Sequence, residues 1–564
     1  MDEKVLNFEK RDFLYDNGLV NIFLTLQQDS RFERGVSEYE LKYKNSEVQL
    51  CDLKLQFKGD FEEIKEIYFI LRSIYYSKVF EETKNNKPYY DPEKDKVVIK
   101  PVLNVKPFLQ RSERTKDLLP KLSVSDEKLG KLKVEEENVK KDFDGKVSGK
   151  LQYGKKSQVN LYLAPDKLGE NISGKIKELI SREKCVFCGS EFTGYKDAEG
   201  KKKGFNIAST NLIFDFGTGD PKPSFRDSRT KKDISICFMC DIIYRYGLLK
   251  NHFVNNNVFL ISSPSLRFTL NIKMKLPNVN SMDEYLPVEN NSKTNFLDKG
   301  EFAATGTSSK LLALLYKLYS KILSEDEFNV ISLFYFIVTS RGIDDLKVYN
   351  KMSYISSLFD ETKNITLETS GQLFLHKLLN YAYYKNISTF ETKNMPREQL
   401  SGELLNGMPI DSTIFDLAYY NLSTNGSGLK PNLLYEFLEK YLEVIGMVDL
   451  RELHETCHII GDRIGYFAAN TNNKSLLYQL REIGNLEGLV EFFKDLEYEI
   501  LKENAGATWN SKPTGKEESY STFINKLLSN VQSNKDASFA KNYLGIYAVQ
   551  KYLSVKYAKS QGGA

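Results

Sequence analysis

Two short cysteine pairs carry the plainest chemistry in this chain: Cys185-Val-Phe-Cys188-Gly189 and Cys237-Phe-Met-Cys240. The chain has six cysteines in 564 residues, and four of them fall in these pairs. A CxxC turn puts two thiolates on one side of a tight bend, and Gly189 lets the first bend curl back on itself. Two such bends facing each other make the tetrahedral four-thiolate site that zinc prefers. The alternatives are two unrelated pairs, or a redox pair, which needs only one CxxC and sits before a helix of a βαβ unit. The spacing favours structural Zn2+ on Cys185, Cys188, Cys237 and Cys240. A site closed by four thiolates has no open coordination position, so it is assigned no catalysis. The other cysteines, Cys51 and Cys457, lie in apolar-periodic stretches and read as buried thiols, which fits a reduced, cytoplasmic protein.

The pairs enclose 48 residues (189–236), far more than a compact zinc ribbon needs. This insertion carries Lys201, Lys202, Lys203, Arg226, Arg229, Lys231 and Lys232, interleaved with Tyr195, Phe205, Phe214, Phe216 and Phe225. Cations with stacking rings on a metal-pinned loop suit nucleic-acid contact, and an ordinary solvated loop has the same composition. Net charge is only +3, so any nucleic-acid surface is a local patch.

A second motif is His454-Glu455-Thr456-Cys457-His458, which fits HExxH and extends to Gly461. On a helix both histidines share one face and can hold a zinc ion, with Glu455 as base, as in a metalloprotease. The third ligand position falls on Ile464, which binds no metal, and Glu482 is a candidate only because acids are common downstream. A packed or solvent-facing histidine pair on a bundle helix is the favoured reading. No phosphate-binding glycine loop, dinucleotide fingerprint or nucleophile elbow is present, so the chain is read as non-enzymatic.

The elements that position these residues fall into an α+β fold. A mixed N-terminal region (1–306) holds the four-cysteine insertion (185–240). A helical connecting region (307–446) follows, then an all-α C-terminal bundle (447–564). Apolar spacing predicts a helix over 10–28, a strand over 47–57, a helix over 60–80 and strands near 97–99 and 159–163. Residues 110–160 mix many lysines with acids and glycine, and read as a solvated loop or a basic arm. Strict alternation from Leu266 to Leu276 predicts a strand with a basic outer face, a plausible nucleic-acid platform. From 307 onward helices are expected, including 327–340, 344–359, 368–385 and 431–447, punctuated by a polar stretch at 394–411. The last 118 residues read as five helices at 448–469, 473–483, 486–503, 518–533 and 537–558, a self-sufficient bundle. No apolar run is long enough to span a membrane, and the charged first 20 residues are no signal peptide.

Two mid-chain CxxC pairs separated by a long basic insertion resemble the CXXC–CXXC family of CRISPR proteins, the large subunit of type I-B Cascade surveillance complexes. The opening Asp12-Phe-Leu-Tyr15-Asp-Asn-Gly18-Leu-Val20 is similar to that family's aromatic-Leu-x-x-x-Gly-(Ile/Leu)-Val start. The resemblance covers about the first half of the chain. It implies a subunit that caps the 5′ end of the CRISPR RNA assembly, recognises the PAM beside double-stranded target DNA and stabilises the R-loop. The implied partners are CRISPR RNA, Cascade backbone and small subunits, and a helicase-nuclease recruited in trans. In such systems the small subunit often arises by internal translation of the large-subunit gene, and Met447 is well placed for that start, with Met395 and Met408 as longer alternatives. The resemblance also implies that the C-terminal bundle lines the displaced strand, with Lys541, Lys551, Lys556 and Lys559 in position. A stand-alone zinc-containing RNA-binding accessory protein shares the cysteine site and basic loops, and remains the alternative.

Overall fold

The computed structural model describes residues 4–91, 96–105, 121–125, 133–134, 158–163, 178–185, 189, 191–196, 202–203, 206–207, 234–235, 237–247, 249, 252–254, 257–276, 305–339, 342–368, 370–424, 426, 428–502, 513, 516 and 518–561. The chain divides into two units. One comprises Met1–Phe296 with Val330–Asn350, and the other Leu297–Asn329 with Lys351–Ala564.

The first unit starts with β1 (Lys4–Glu9), α1 (Phe13–Gln28), β2 (Glu33–Arg34), β3 (Glu40–Tyr43), β4 (Ser46–Leu50), β5 (Lys54–Gly59) and α2 (Phe61–Val79). The strands form an antiparallel sheet in the order β1-β5-β4-β3-β2. The single strand expected over 47–57 is a hairpin. Its turn is closed by Cys51 N donating to Lys54 O at 2.8 Å, and Val48 pairs with Phe57 and Leu50 with Leu55. Apolar residues on both arms share the buried face, so a tight turn is invisible to an alternation count.

Helix α1 is buried at every position from Leu14 to Leu26, which is why its apolar pattern is not confined to one face. Asp12 caps it, accepting from Leu14 N and Tyr15 N at 3.0 Å each.

A second sheet has the order β8-β10-β6-β7-β9, built from β6 (Phe80–Asp91), β7 (Lys96–Val105), β8 (Lys121–Ser125), β9 (Lys133–Val134) and β10 (Gln158–Leu163). Most of the 110–160 segment lies outside the described residues. Then come β11 (Glu178–Lys184), β12 (Glu191–Lys196) and β13 (Lys202–Lys203), which form a three-stranded sheet, and the pair β14 (Asn206–Ile207) and β15 (Ile234–Ser235). Helix α3 (Phe238–Tyr246) follows. The last sheet runs β16 (His252–Val254), β17 (Asn257–Ser262), β18 (Ser332–Thr339) and β19 (Gly342–Tyr349), all antiparallel.

Two expectations fail here for stated reasons. Residues 266–276 form a helix, α4 (Leu266–Lys275), and not a strand. Ser265 caps it, accepting from Phe268 N at 3.2 Å. Its buried set includes Leu266, Thr269, Leu270 and Lys273, spaced by 3, 1 and 3, while Met274 is exposed. Two of those core positions are polar, so a reader of hydropathy sees alternation where the helix period rules. Residues 332–349, expected to be helical, form β18 and β19. The run Ile331 to Thr339 is rich in β-branched and aromatic residues. Its backbone is paired on both sides, by β17 from far upstream and by the adjacent β19.

The second unit is helical: α5 (Thr307–Lys317), continued by a π-helical turn (Leu318–Ile322), then α6 (Glu325–Asn329), α7 (Met352–Thr362), α8 (Phe374–Tyr381), α9 (Phe390–Asn406), α10 (Asp411–Ser423) and α11 (Pro431–Val444). A 3-10 turn (Val448–Leu450) leads to α12 (Arg451–Asn470), α13 (Lys474–Glu482), α14 (Leu486–Lys502), α15 (Tyr520–Asn530) and α16 (Asn534–Gln561). The last five helices match the spacing-based expectation to within a few residues. The polar stretch 394–411 is mostly helix α9. Its polar side chains are engaged by neighbours, which erases the apolar period: Arg397 donates to Leu379 O at 2.8 Å, and the Glu398 carboxylate caps α5 by accepting from Gly306 N at 2.7 Å and Ser308 N at 2.9 Å.

Candidate metal centre

Strand β11 delivers Cys185 at its end. Gly189 then closes a turn, donating its N–H to Cys185 O at 2.8 Å with φ +73°, a conformation that favours glycine. Cys237 caps α3 and Cys240 sits in its first turn, where Cys240 N donates to Cys237 Sγ at 3.4 Å. The sulfurs of Cys185, Cys237 and Cys240 lie within 4.8 Å of one another, and all three residues are buried. None of the three is in a disulfide. Cys188 lies outside the described residues.

This group can hold a metal ion. Four thiolates about 2.3 Å from a tetrahedral zinc stand roughly 3.8 Å apart, so three sulfurs within 4.8 Å need only small shifts. The N-terminus of α3 favours negative sulfur at Cys237 and Cys240 through its dipole and its first-turn N–H groups. Among the described residues, no other group of three or more His, Cys, Asp or Glu side chains has its ligand atoms this close.

The opening segment of the chain packs directly on this centre. Tyr15 Oη lies 3.4 Å from Cys240 Sγ, across 225 residues of sequence. Tyr244 Oη donates to Asp12 Oδ2 at 2.6 Å, and the rings of Tyr15 and Tyr244 meet edge-on at 5.0 Å. Burial, and then the adjacent Asp12 carboxylate, push the Tyr244 hydroxyl well above its ordinary pKa, so it acts as a donor. Gly18 permits the contact. A Cβ there would lie 2.0 Å from the Ile243 carbonyl oxygen of α3, and a Cβ on Gly247 would meet Leu14 at 2.5 Å. A glycine inside a helix is normally a weak point, and here it is the point where α1 and α3 touch. Nothing in the local pattern around Tyr15 or Tyr244 marks them as neighbours of a cysteine. Only the aromatic-to-glycine spacing of the opening gave a hint.

Behind α1 sits a second unusual group. Lys273 of α4 is buried, and its Nζ donates to Asn21 Oδ1 at 2.7 Å. Asn21 in turn donates to Tyr246 O at 2.8 Å and Leu249 O at 2.5 Å, so this polar link ties α4 to the segment after α3 through α1. Burial pushes Lys273 down to about 7.

Of the residues proposed to touch nucleic acid, Lys202 and Lys203 form β13, pairing with Lys196 and Tyr195 of β12. Lys201, Arg226, Arg229, Lys231 and Lys232 lie outside the described residues. The C-terminal lysines all have partners within their own unit. Lys541 lies over the Phe415 ring, Lys551 pairs with Asp462 at 3.1 Å, Lys556 donates to Asn472 Oδ1 at 2.6 Å, and Lys559 to Asn470 Oδ1 at 2.9 Å.

The HExxH residues occupy α12. His454 Nε2 is 2.5 Å from Tyr547 Oη, and the Tyr435 ring stacks over both imidazoles, 5.0 Å from His454 and 4.3 Å from His458. Burial, reinforced by His458, pushes His454 down to about 3, so it is a neutral packed ring. Glu455 is half-buried and pairs with Lys516. Gly461, the glycine that extends the motif, packs against α16, where a Cβ would lie 2.9 Å from Leu544 O. Gly465 one turn on would meet Ala548 O at 2.2 Å. These glycines are a helix-packing seam. Cys457 is buried as expected, against Ala540 O at 3.7 Å, while Cys51 is half-buried.

Among the described residues no helix is long and apolar enough to cross a membrane. No protein-family model matches the chain, and no curated protein matches it either.

Proposed function

We propose that the chain is the non-catalytic large subunit of an RNA-guided CRISPR surveillance complex of the type I-B kind, with zinc on Cys185, Cys188, Cys237 and Cys240. One observation supports this reading above the others. The two segments that carry the resemblance, Asp12 to Val20 and the cysteine pairs, are remote in sequence and meet at the contact of Tyr15 with Cys240. Motifs that belong to one family signature are expected to share one structural purpose, and here they share a centre.

Zinc would neutralise the thiolates and tie both ends of the insertion together. The chain's own residues do the rest. Asp12, Tyr15 and Tyr244 brace the centre against α1, and the insertion's base is fixed by β11 on one side and α3 on the other. From that base Lys201, Lys202, Lys203, Arg226, Arg229, Lys231 and Lys232 supply phosphate contacts to target DNA, which give affinity and a steep salt dependence. A few polar side chains read the PAM in the groove, and guide pairing reads the remaining sequence. A helicase-nuclease recruited in trans cuts, while backbone and small subunits complete the assembly around CRISPR RNA.

The test is isolation of the C-terminally tagged chain from its native cells. The expected result is co-purified CRISPR RNA with repeat-derived ends, backbone subunits, and one zinc per chain. Recovery of the chain with unrelated RNA and no other subunits would instead make it a stand-alone zinc-containing RNA-binding protein and sink the proposal.

A further inference from the structure

We propose that Tyr15 is a positioning residue of the metal centre, donating its hydroxyl hydrogen to the Cys240 sulfur once that sulfur is a metal-bound thiolate, and so coupling the docking of α1 to metal occupancy. The inference rests on the metal reading of the cysteine group and goes beyond it, because Tyr15 is no ligand. Both residues are fully buried, Tyr15 at 0% and Cys240 at 0% exposure, and Oη to Sγ is 3.4 Å. A metal-bound thiolate has no proton, so the tyrosine is the only donor of this pair. Sulfur charge buried away from water is costly unless donors face it. Cys240 N already serves Cys237 Sγ at 3.4 Å, and Tyr15 does the same for Cys240.

The hydroxyl is also held in place independently of the sulfur. Asp12 caps the turn that carries Tyr15, its other oxygen takes the Tyr244 hydroxyl, and Gly18 one turn on lets α1 reach the α3 backbone. The donor is thus fixed by α1, and the acceptor by the first turn of α3. Metal binding strengthens the bond between them, and the same bond draws the two helices together. Donors placed behind metal ligands typically contribute roughly 10–100-fold in metal affinity.

The experiment uses the full chain, stripped of metal and titrated with Co2+ against a competing chelator. Wild type is compared with Tyr15→Phe, and with Tyr43→Phe as a control, since Tyr43 donates to Glu66 away from the cysteines. Three results are expected. Tyr15→Phe still shows a thiolate-to-cobalt absorption band, but at a shifted energy. It binds cobalt roughly 10–100-fold more weakly. Its amides over Phe13–Gln28 lose the protection from hydrogen exchange that cobalt confers on wild type. Tyr43→Phe should match wild type in all three. An unshifted band with affinity within about twofold of wild type would overturn the role of Tyr15 and leave the metal centre standing. A wild-type chain that gives no thiolate band at all would overturn both.

Discussion

Lys273 is a lysine that the fold forces toward neutrality. Its lowering from 10.5 to about 7 comes from burial, and Asn21 is a neutral partner that gives no charge back. The sign of the effect follows from linkage. Between about pH 7 and 10.5 the unfolded chain holds the proton and the folded chain does not, so stability rises with pH across that window. Lys273→Met removes an ionisation cost on the order of 4 kcal/mol at neutral pH and leaves Asn21 Oδ1 without its donor, a loss of about 1–3 kcal/mol. The net expectation is a more stable protein at pH 7 by about 1–3 kcal/mol, with the pH slope between 7 and 10 flattened. Urea unfolding at three pH values in that range measures both. A slope unchanged by the substitution would show that Lys273 is already charged in the folded protein. This residue also explains why 266–276 carries the alternation of a strand while folding as a helix. A polar residue in a core position hides the helix period that it obeys.

At the scale of elements, close helix contacts decide where glycine is indispensable. Gly18→Ala gains about 1 kcal/mol of helix propensity. It also places a methyl 2.0 Å from a backbone oxygen that cannot rotate away, and the overpacking costs about 1–3 kcal/mol or more. The clash wins, so the variant should be less stable, and because α3 carries Cys237 and Cys240 it should also hold metal more weakly. Gly402→Ala in α9 meets only Ser308 Oγ, at 3.6 Å, an ordinary contact. It should be neutral or stabilising by about 0.5–1 kcal/mol. Thermal unfolding of the two variants beside wild type reads opposite signs from one substitution. Equal effects would mean that α1 and α3 do not touch at Gly18. The same seam logic accounts for Gly461 and Gly465 on α12, both packed on α16, the first of them the glycine that extends the HExxH motif.

At the scale of the whole chain, the last five helices do not close on themselves. Helix α16 is covered on one side by α12 and on another by α10, whose Phe415 fits against Gly545 and whose Asp411 accepts from Asn542 at 2.6 Å. Gln550 accepts from Leu429 N at 2.7 Å, and Tyr435 of α11 stacks on His454 and His458. A product begun at Met447 keeps α12 but lacks α10, Leu429 and Tyr435. Expressed alone, residues 447–564 should lose the near-ultraviolet circular dichroism of the full chain and melt without a sharp transition. A cooperative transition would show that the five helices are self-sufficient. An internal start at Met447 therefore requires another chain to cover α16, and Met447→Leu with a C-terminal tag reports whether the short product is made.

What the sequence determined by itself is whatever rests on local pattern. It gave the cysteine pairs and their buried site at three described positions, α1 and α2, and the last five helices with their boundaries. These need only a period, a turn residue or a ligand spacing, all short-range. Tertiary structure alone decided the rest. The 332–349 hairpin became the edge of a sheet because β17, far upstream, pairs with the free side of β18. Residues 266–275 are a helix whose polar Lys273 finds Asn21 in the core. Tyr15 reached Cys240 because a glycine on one helix faces a carbonyl on another. Each of those outcomes depends on which surfaces meet, and a contact between remote segments leaves no period for a local reading to find.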